Sequence, residues 1–192
     1  MTEVHDCTTV FAEDGTVVLV LDEHAVFQLE ICLNLLRWLV QAREKQWQAA
    51  RVPLGRPRRS RLPGRRALHD MLPDGYDREP EAGRFREYHE PWLRREILHA
   101  ADRVATELAV GVPVRLSGED LGRWIAVLSH LRLCYLRNRY RPVHRGRDRL
   151  IADFCAYLQA RLVQEGHPGV ATALVAAGQP ATVPGTGPAP KS

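Results

Sequence analysis

One supersecondary pattern occurs twice in this chain and limits what it can fold into. At residues 16–21 the run TVVLVL, rich in β-branched residues, leads through Asp22 into a long segment with Val26, Leu29, Leu33, Leu36 and Val40 recurring every three or four positions. The same order returns at residues 113–140: a short β-prone run to Leu116, then Ser117, then a helical stripe of Leu121, Trp124, Leu128 and Leu131. Asp22 reads as an N-cap, and Ser117 with Asp120 three residues on approximates a capping box. Each unit has a strand with one face to bury and a helix with one stripe to bury, so the two units are expected to share a core.

The strands fix the sheet. Residues 8–11 (TTVF) and 16–21 flank Asp14-Gly15, a dipeptide suited to the positive φ of a hairpin turn. A lone hairpin is marginal in water, and the strand near residues 113–116 supplies a third member. The expected fold is α+β and mostly α: two strand-to-long-helix units around a small antiparallel sheet, with further packed helices. The first helix is expected to reach about residue 50. Between the units the helical pattern resumes from Glu81, with Phe85, Tyr88, Trp92, Leu93, Ile97, Leu98, Ala101, Val104 and Leu108 as its apolar positions. Pro91 is expected to start a new helix or kink this one. A last helix is marked by Leu150, Phe154, Leu158 and Leu162 at four-residue spacing, flanked by Ile151 and Cys155, with Gly166 as its C′ residue and Pro168 as its stop.

Domain organisation follows from composition. Residues 1–166 are expected to form one globular domain, since 45% apolar and 26% charged content suits a packed core. Residues 51–66 carry three prolines among their arginines and are expected to be an extended, mobile loop; residues 167–192, dominated by proline, glycine and small side chains, are expected to be a disordered tail. No apolar run approaches the length of a membrane span, and Glu3 and Asp6 replace the basic start of a secretory leader. Cys7, Cys32, Cys134 and Cys155 are widely spaced, three of them inside helical stripes, which is the usage of a reducing compartment and points to the cytoplasm.

The charge is unevenly placed. Residues 51–66 contain seven arginines and no acid, and residues 137–149 contain six arginines and Asp148, which leaves −8 on the rest of a chain whose total is +4. Arg56, Arg58, Arg59, Arg61, Arg65 and Arg66 are therefore candidate contacts for nucleic-acid phosphates or for an acidic protein partner, and Gly55-Arg56-Pro57 is similar to the centre of a minor-groove hook. Arg137, Arg139 and Arg141 form a second candidate patch, although cations at the end of a helix are also favoured by its dipole. A solvated loop in a chain with twenty-five arginines and two lysines accounts for the same residues without any ligand.

Catalytic and metal chemistry find little purchase. His130 and Cys134 stand four apart on one helix, yet no second ligand pair accompanies them. Ser129 and His130 are neighbours in a helix and point different ways, and Glu119 and Asp120 suit a helix N-terminus. No dinucleotide, P-loop or nucleophile-elbow motif is present. The expectation is a non-enzymatic protein without a cofactor, with Trp38, Trp47, Trp92 and Trp124 as core or interface anchors. A small enzyme with a site assembled from distant residues, such as His89, His99 or His130, is the alternative with least support.

Leu72, Pro73, Asp74 and Tyr76, then Trp124, then Leu131, Arg132 and Leu133 carry a family likeness. Over roughly residues 16–165 the chain resembles the actinobacterial family of unknown-function domains that includes the AosR-like redox-responsive transcriptional regulators. The resemblance implies a regulatory or adaptor protein linked to oxidative stress, acting through a partner of the transcription machinery such as a sigma factor or the polymerase, with no cofactor and no catalytic residues. DNA contact through the arginine loop and self-association are compatible with it. It makes Cys7 the candidate redox residue, and Cys7 has no second cysteine near it in sequence. If the loop binds nucleic acid, replacing Arg56, Arg58, Arg59 and Arg61 together flattens the salt dependence of binding; no binding by the parent protein at low salt, measured by fluorescence anisotropy, ends the idea.

Overall fold

Asp14 and Gly15 both take positive φ, 48° and 75°, and make the two-residue turn of a hairpin. Strand β1 (Thr8–Glu13) is two residues longer than its β-branched run, because Ala12 and Glu13 pair across the turn with Val17 and Thr16 of β2 (Thr16–Leu21). β3 (Val114–Leu116) adds antiparallel to β2, with Val17 opposite Leu116 and Leu19 opposite Val114. The result is the expected small antiparallel sheet, in the order β1-β2-β3. The computed structural model describes residues 8–50, 71–72, 78, 80–136 and 145–169. The 51–66 loop and nearly all of the 167–192 tail lie outside them.

Among the described residues four long helices pack with the sheet: α1 (Glu23–Ala50), α2 (Glu81–Glu107), α3 (Gly118–Leu136) and α4 (Arg145–Gly166). The architecture is mostly-α α+β. Asp22 caps α1 as its position suggests, its Oδ1 accepting from the Ala25 N–H at 2.7 Å. The start of α3 differs from the expected reciprocal box: the Asp120 N–H donates to the Ser117 carbonyl, and the Asp120 carboxylate accepts from Arg123. The connection from α2 into β3 turns at Gly111, whose φ of 67° frees its N–H to donate to the Leu21 carbonyl at 2.8 Å. That bond ties the end of one unit to the beginning of the other.

The core fills the space between the inner face of the sheet (Val17, Leu19, Leu21, Leu116) and the helices, with Trp124 fully buried at its centre. Trp124 Nε1 donates to Glu107 Oε2 at 2.7 Å, which satisfies the indole and ties α3 to the end of α2. On α4 the inward stripe is Ile151, Phe154, Cys155, Leu158 and Leu162, while Leu150 is exposed. A strict four-residue spacing falls behind the 3.6-residue turn, so over three steps it drifts about a third of the way around the helix. Gly166 is the last residue of α4 and lacks the positive φ of a C′ glycine; a Cβ there would lie 2.2 Å from Leu121 Cδ2, so it permits close approach to α3. Arg161 on α4 donates to the Val10 carbonyl at 2.8 Å and so occupies an acceptor of edge strand β1.

α2 is one continuous helix with Pro91 inside it, so Pro91 starts no new helix. Its inward face begins with an ion network in place of apolar residues. Glu90 and Arg94 are each 2% exposed. Arg43 of α1 clasps the Glu90 carboxylate with two bonds, 2.7 and 3.0 Å, while Arg94 reaches Glu90 at 3.1 Å and also pairs with Glu44. Further along, Arg37 pairs with Asp102 at 2.7 Å, so α1 and α2 lie antiparallel with charged clasps at two levels. Tyr88 and Trp92, read from sequence as apolar positions of this helix, are exposed on its far side. Glu90→Ala removes the carboxylate that Arg43 and buried Arg94 share and should cost about 3 kcal/mol in urea unfolding, whereas Glu90→Leu with Arg94→Leu should recover most of that loss.

Candidate functional site

α1, α3 and α4 each place one cysteine on the inward stripe, and the three meet. Cys32 follows Leu29 by three residues, Cys134 follows Leu131 by three, and Cys155 precedes Leu158 by three, so each occupies a core position of its own helix. All three are free thiols, closed off from solvent. Cys155 donates its S–H to the Cys32 sulfur, and the Tyr135 hydroxyl donates to the same sulfur.

The electrostatics single out Cys32. The hydrogen bond from Cys155, aided by that from Tyr135, holds the Cys32 thiol below its usual value despite the opposing effect of burial. Cys155 is pushed well above the usual value, first because its proton is engaged with Cys32 and then by burial. Cys134 is pushed up to about 12, chiefly by burial and further by its nearness to Cys32. Burial and the same neighbour raise Tyr135. One sulfur is thus prepared to hold negative charge, with proton donors set around it. Among the described residues no group of three or more His, Cys, Asp or Glu is arranged to hold a metal ion, and the thiol cluster is no exception.

The other candidates separate. Arg56, Arg58, Arg59, Arg61, Arg65, Arg66, Arg137, Arg139, Arg141 and Cys7 all lie outside the described residues. Arg147 and Arg149 are exposed near the start of α4, with Asp148 buried between them. Ser129 is occupied structurally: its Oγ donates to the Ile125 carbonyl at 3.0 Å and accepts from Gln159 Nε2 at 2.8 Å. Burial lowers the His130 pKa, and its Nδ1 is buried without a hydrogen-bond partner among the described residues. His89 packs its ring against Phe85, centroids 4.6 Å apart. The structure sets Cys32 against Cys155 as its hydrogen-bonding thiol, a pairing no sequence spacing discloses.

A three-stranded antiparallel sheet under long helices, with a thiol cluster where three of them meet, defines a mostly helical α+β domain with a chemically distinctive core. The chain belongs to the family described as a domain of unknown function, DUF2017, whose model matches residues 7–165. No curated protein and no solved structure matches it. Among the described residues no helix is long and apolar enough to cross a membrane.

The shifted thiols make stability depend on alkaline pH. Below pH 9 the folded and unfolded chains both hold the protons of Cys134 and Cys155; above it the unfolded chain releases them while the folded chain keeps that of Cys134 up to about 12. Cys32 acts in the opposite sense, adding stability as pH rises through its lowered folded value towards 9. The two raised thiols prevail above pH 9, so the unfolding free energy measured in urea should fall there, by about 1.4 kcal/mol per pH unit for each retained proton. Cys134→Ala should flatten that decline by one proton.

Proposed function

We propose that this chain is a non-enzymatic regulatory or adaptor protein, linked to oxidative stress, that acts on transcription through a protein partner such as a sigma factor or the polymerase. The observation that carries the reading is the hydrogen-bonded pair Cys32 and Cys155, which joins helices from opposite ends of the chain. In this reading the Cys32 thiolate attacks a peroxide oxygen, the O–O bond breaks, and water leaves with a sulfenic acid on Cys32. Cys155 then attacks that sulfur, a second water leaves, and a disulfide ties α1 to α4. Two electrons pass from the two sulfurs to one peroxide. Both sulfurs are enclosed, so the reaction waits on local opening of the helices and the product is shielded from reductant. The likeness to the AosR-like regulators supports the same role, and reduced thiols in the core suit the cytoplasm.

In a Cys7→Ser background, peroxide should lower the intact mass by two hydrogens and a digest should yield a cross-linked peptide containing Cys32 and Cys155. A nuclease-treated cytosolic extract should yield a transcription protein retained by only one of the two redox states. Unchanged mass with all three thiols still titratable after unfolding refutes the switch.

A further inference from the structure

α1 buries one face and leaves the other bare. Its exposed positions include His24, Phe27, Ile31, Asn34, Trp38, Gln41 and Lys45, which alternate in steps of three and four. That is the spacing of a coiled-coil seam, and it runs along the side opposite Leu29, Cys32 and Leu36. Phe27, Ile31 and Trp38 are 56%, 37% and 48% exposed. Isolated exposed apolar residues are ordinary, but three on one heptad seam form a surface shaped to take another helix.

We propose that this seam is a self-association surface on which two copies of the chain pair through α1 in antiparallel orientation. Antiparallel layers pair each position with one of the other type in the partner copy, which sets Phe27 against the partner's Trp38, Ile31 against the partner's Asn34, and His24 against the partner's Gln41, each twice. Aromatic meets aromatic at Phe27 and Trp38 and polar meets polar at His24 and Gln41, with the mixed Ile31–Asn34 layers flanking the two-fold axis between residues 32 and 33. The flanking charges agree: the same register brings exposed Glu30 across from the partner's Arg37, again twice. Arg37 already leans over the seam, its Nη1 donating to Asn34 Oδ1 at 3.3 Å while its Nε holds Asp102. A parallel pair would set Glu30 near the partner's Leu35 and lose that match, and it would align the two helix dipoles unfavourably. A polar residue among apolar layers, as Asn34 is here, fixes register in such seams at some expense of affinity. The paired length, residues 24–41, is about 27 Å of helix, so the dimer should be reversible and concentration-dependent.

Sedimentation equilibrium of the full chain tests this. The expected result is a monomer–dimer equilibrium between 21.7 kDa and twice that mass. Trp38→Glu and Phe27→Glu should each weaken the dimer at least about tenfold, with circular dichroism and melting unchanged because neither side chain contributes to the core. In a Cys7→Ser background, mixing Ile31→Cys protein with Asn34→Cys protein should give an oxidised dimer joining unlike copies in excess of like ones. A monomer at every concentration up to the solubility limit overturns the proposal, including the case in which this face holds a different protein. So does a dimer indifferent to both glutamate variants, or one cross-linked mainly between like copies.

Discussion

β2 carries Val17, Leu19 and Leu21 on one face, and the hairpin alone has nothing to set against them. α1, which follows β2 directly, and α4, from the far end of the chain, lie against the sheet, and α3 packs on both of those helices. The Gly111 bond to the Leu21 carbonyl and the three-residue strand β3 hold the second unit in place beside the first. α2 lies outside this layer, against α1 and α3. α4 packs along α3, with Gly166 close against Leu121, and α2 closes over α1.

The closure of α2 on α1 is not purely hydrophobic, and this is where a reading by periodicity loses its grip. Ile97, Ala101 and Val104 face inward as their spacing indicates, but the next positions along that stripe are Arg94 and Glu90. Charged residues in register with a buried stripe ordinarily mark its end. Here they continue it, because Arg43 and Glu44 on α1 complete a four-membered network around them. The clue in the sequence was a Glu–Arg pair four apart in phase with Ile97, yet its partners stand some fifty residues away in another helix. Pro91 lies inside one continuous helix, so of the two outcomes its position suggested it does not start a new one.

The thiol cluster shows the complementary limit. That Cys32, Cys134 and Cys155 would be buried was legible from their places on three apolar stripes. That the faces carrying Cys32 and Cys155 meet at the level of those residues depends on how far each helix slides along its neighbour, which the strands and Gly166 decide and periodicity does not. Tyr135 illustrates the point further. It neighbours Cys134 in sequence, yet its hydroxyl is directed to Cys32 of another helix, so its effect on thiol chemistry exists only in the folded chain. The two-residue hairpin turn, by contrast, was fully specified by Asp14-Gly15, since its conformation is decided within the two residues themselves.

Two surfaces of one helix acquire a relation from this geometry. Ile31 and Cys32 are adjacent in α1, one facing solvent on the heptad seam and the other facing the thiols. A packed helix responds to a change on one face as a body, because its hydrogen-bonded turns resist bending at a single residue. Joining Cys32 to Cys155 would draw the middle of α1 towards α4, and the seam would tilt with it, while the Arg43–Glu90 and Arg37–Asp102 clasps hold the other flank to α2. The midpoint of the antiparallel register, between residues 32 and 33, coincides with the thiol's position along the helix. Oxidation of the core and pairing through the surface would then act on the same turn of α1, and each would alter the free energy of the other.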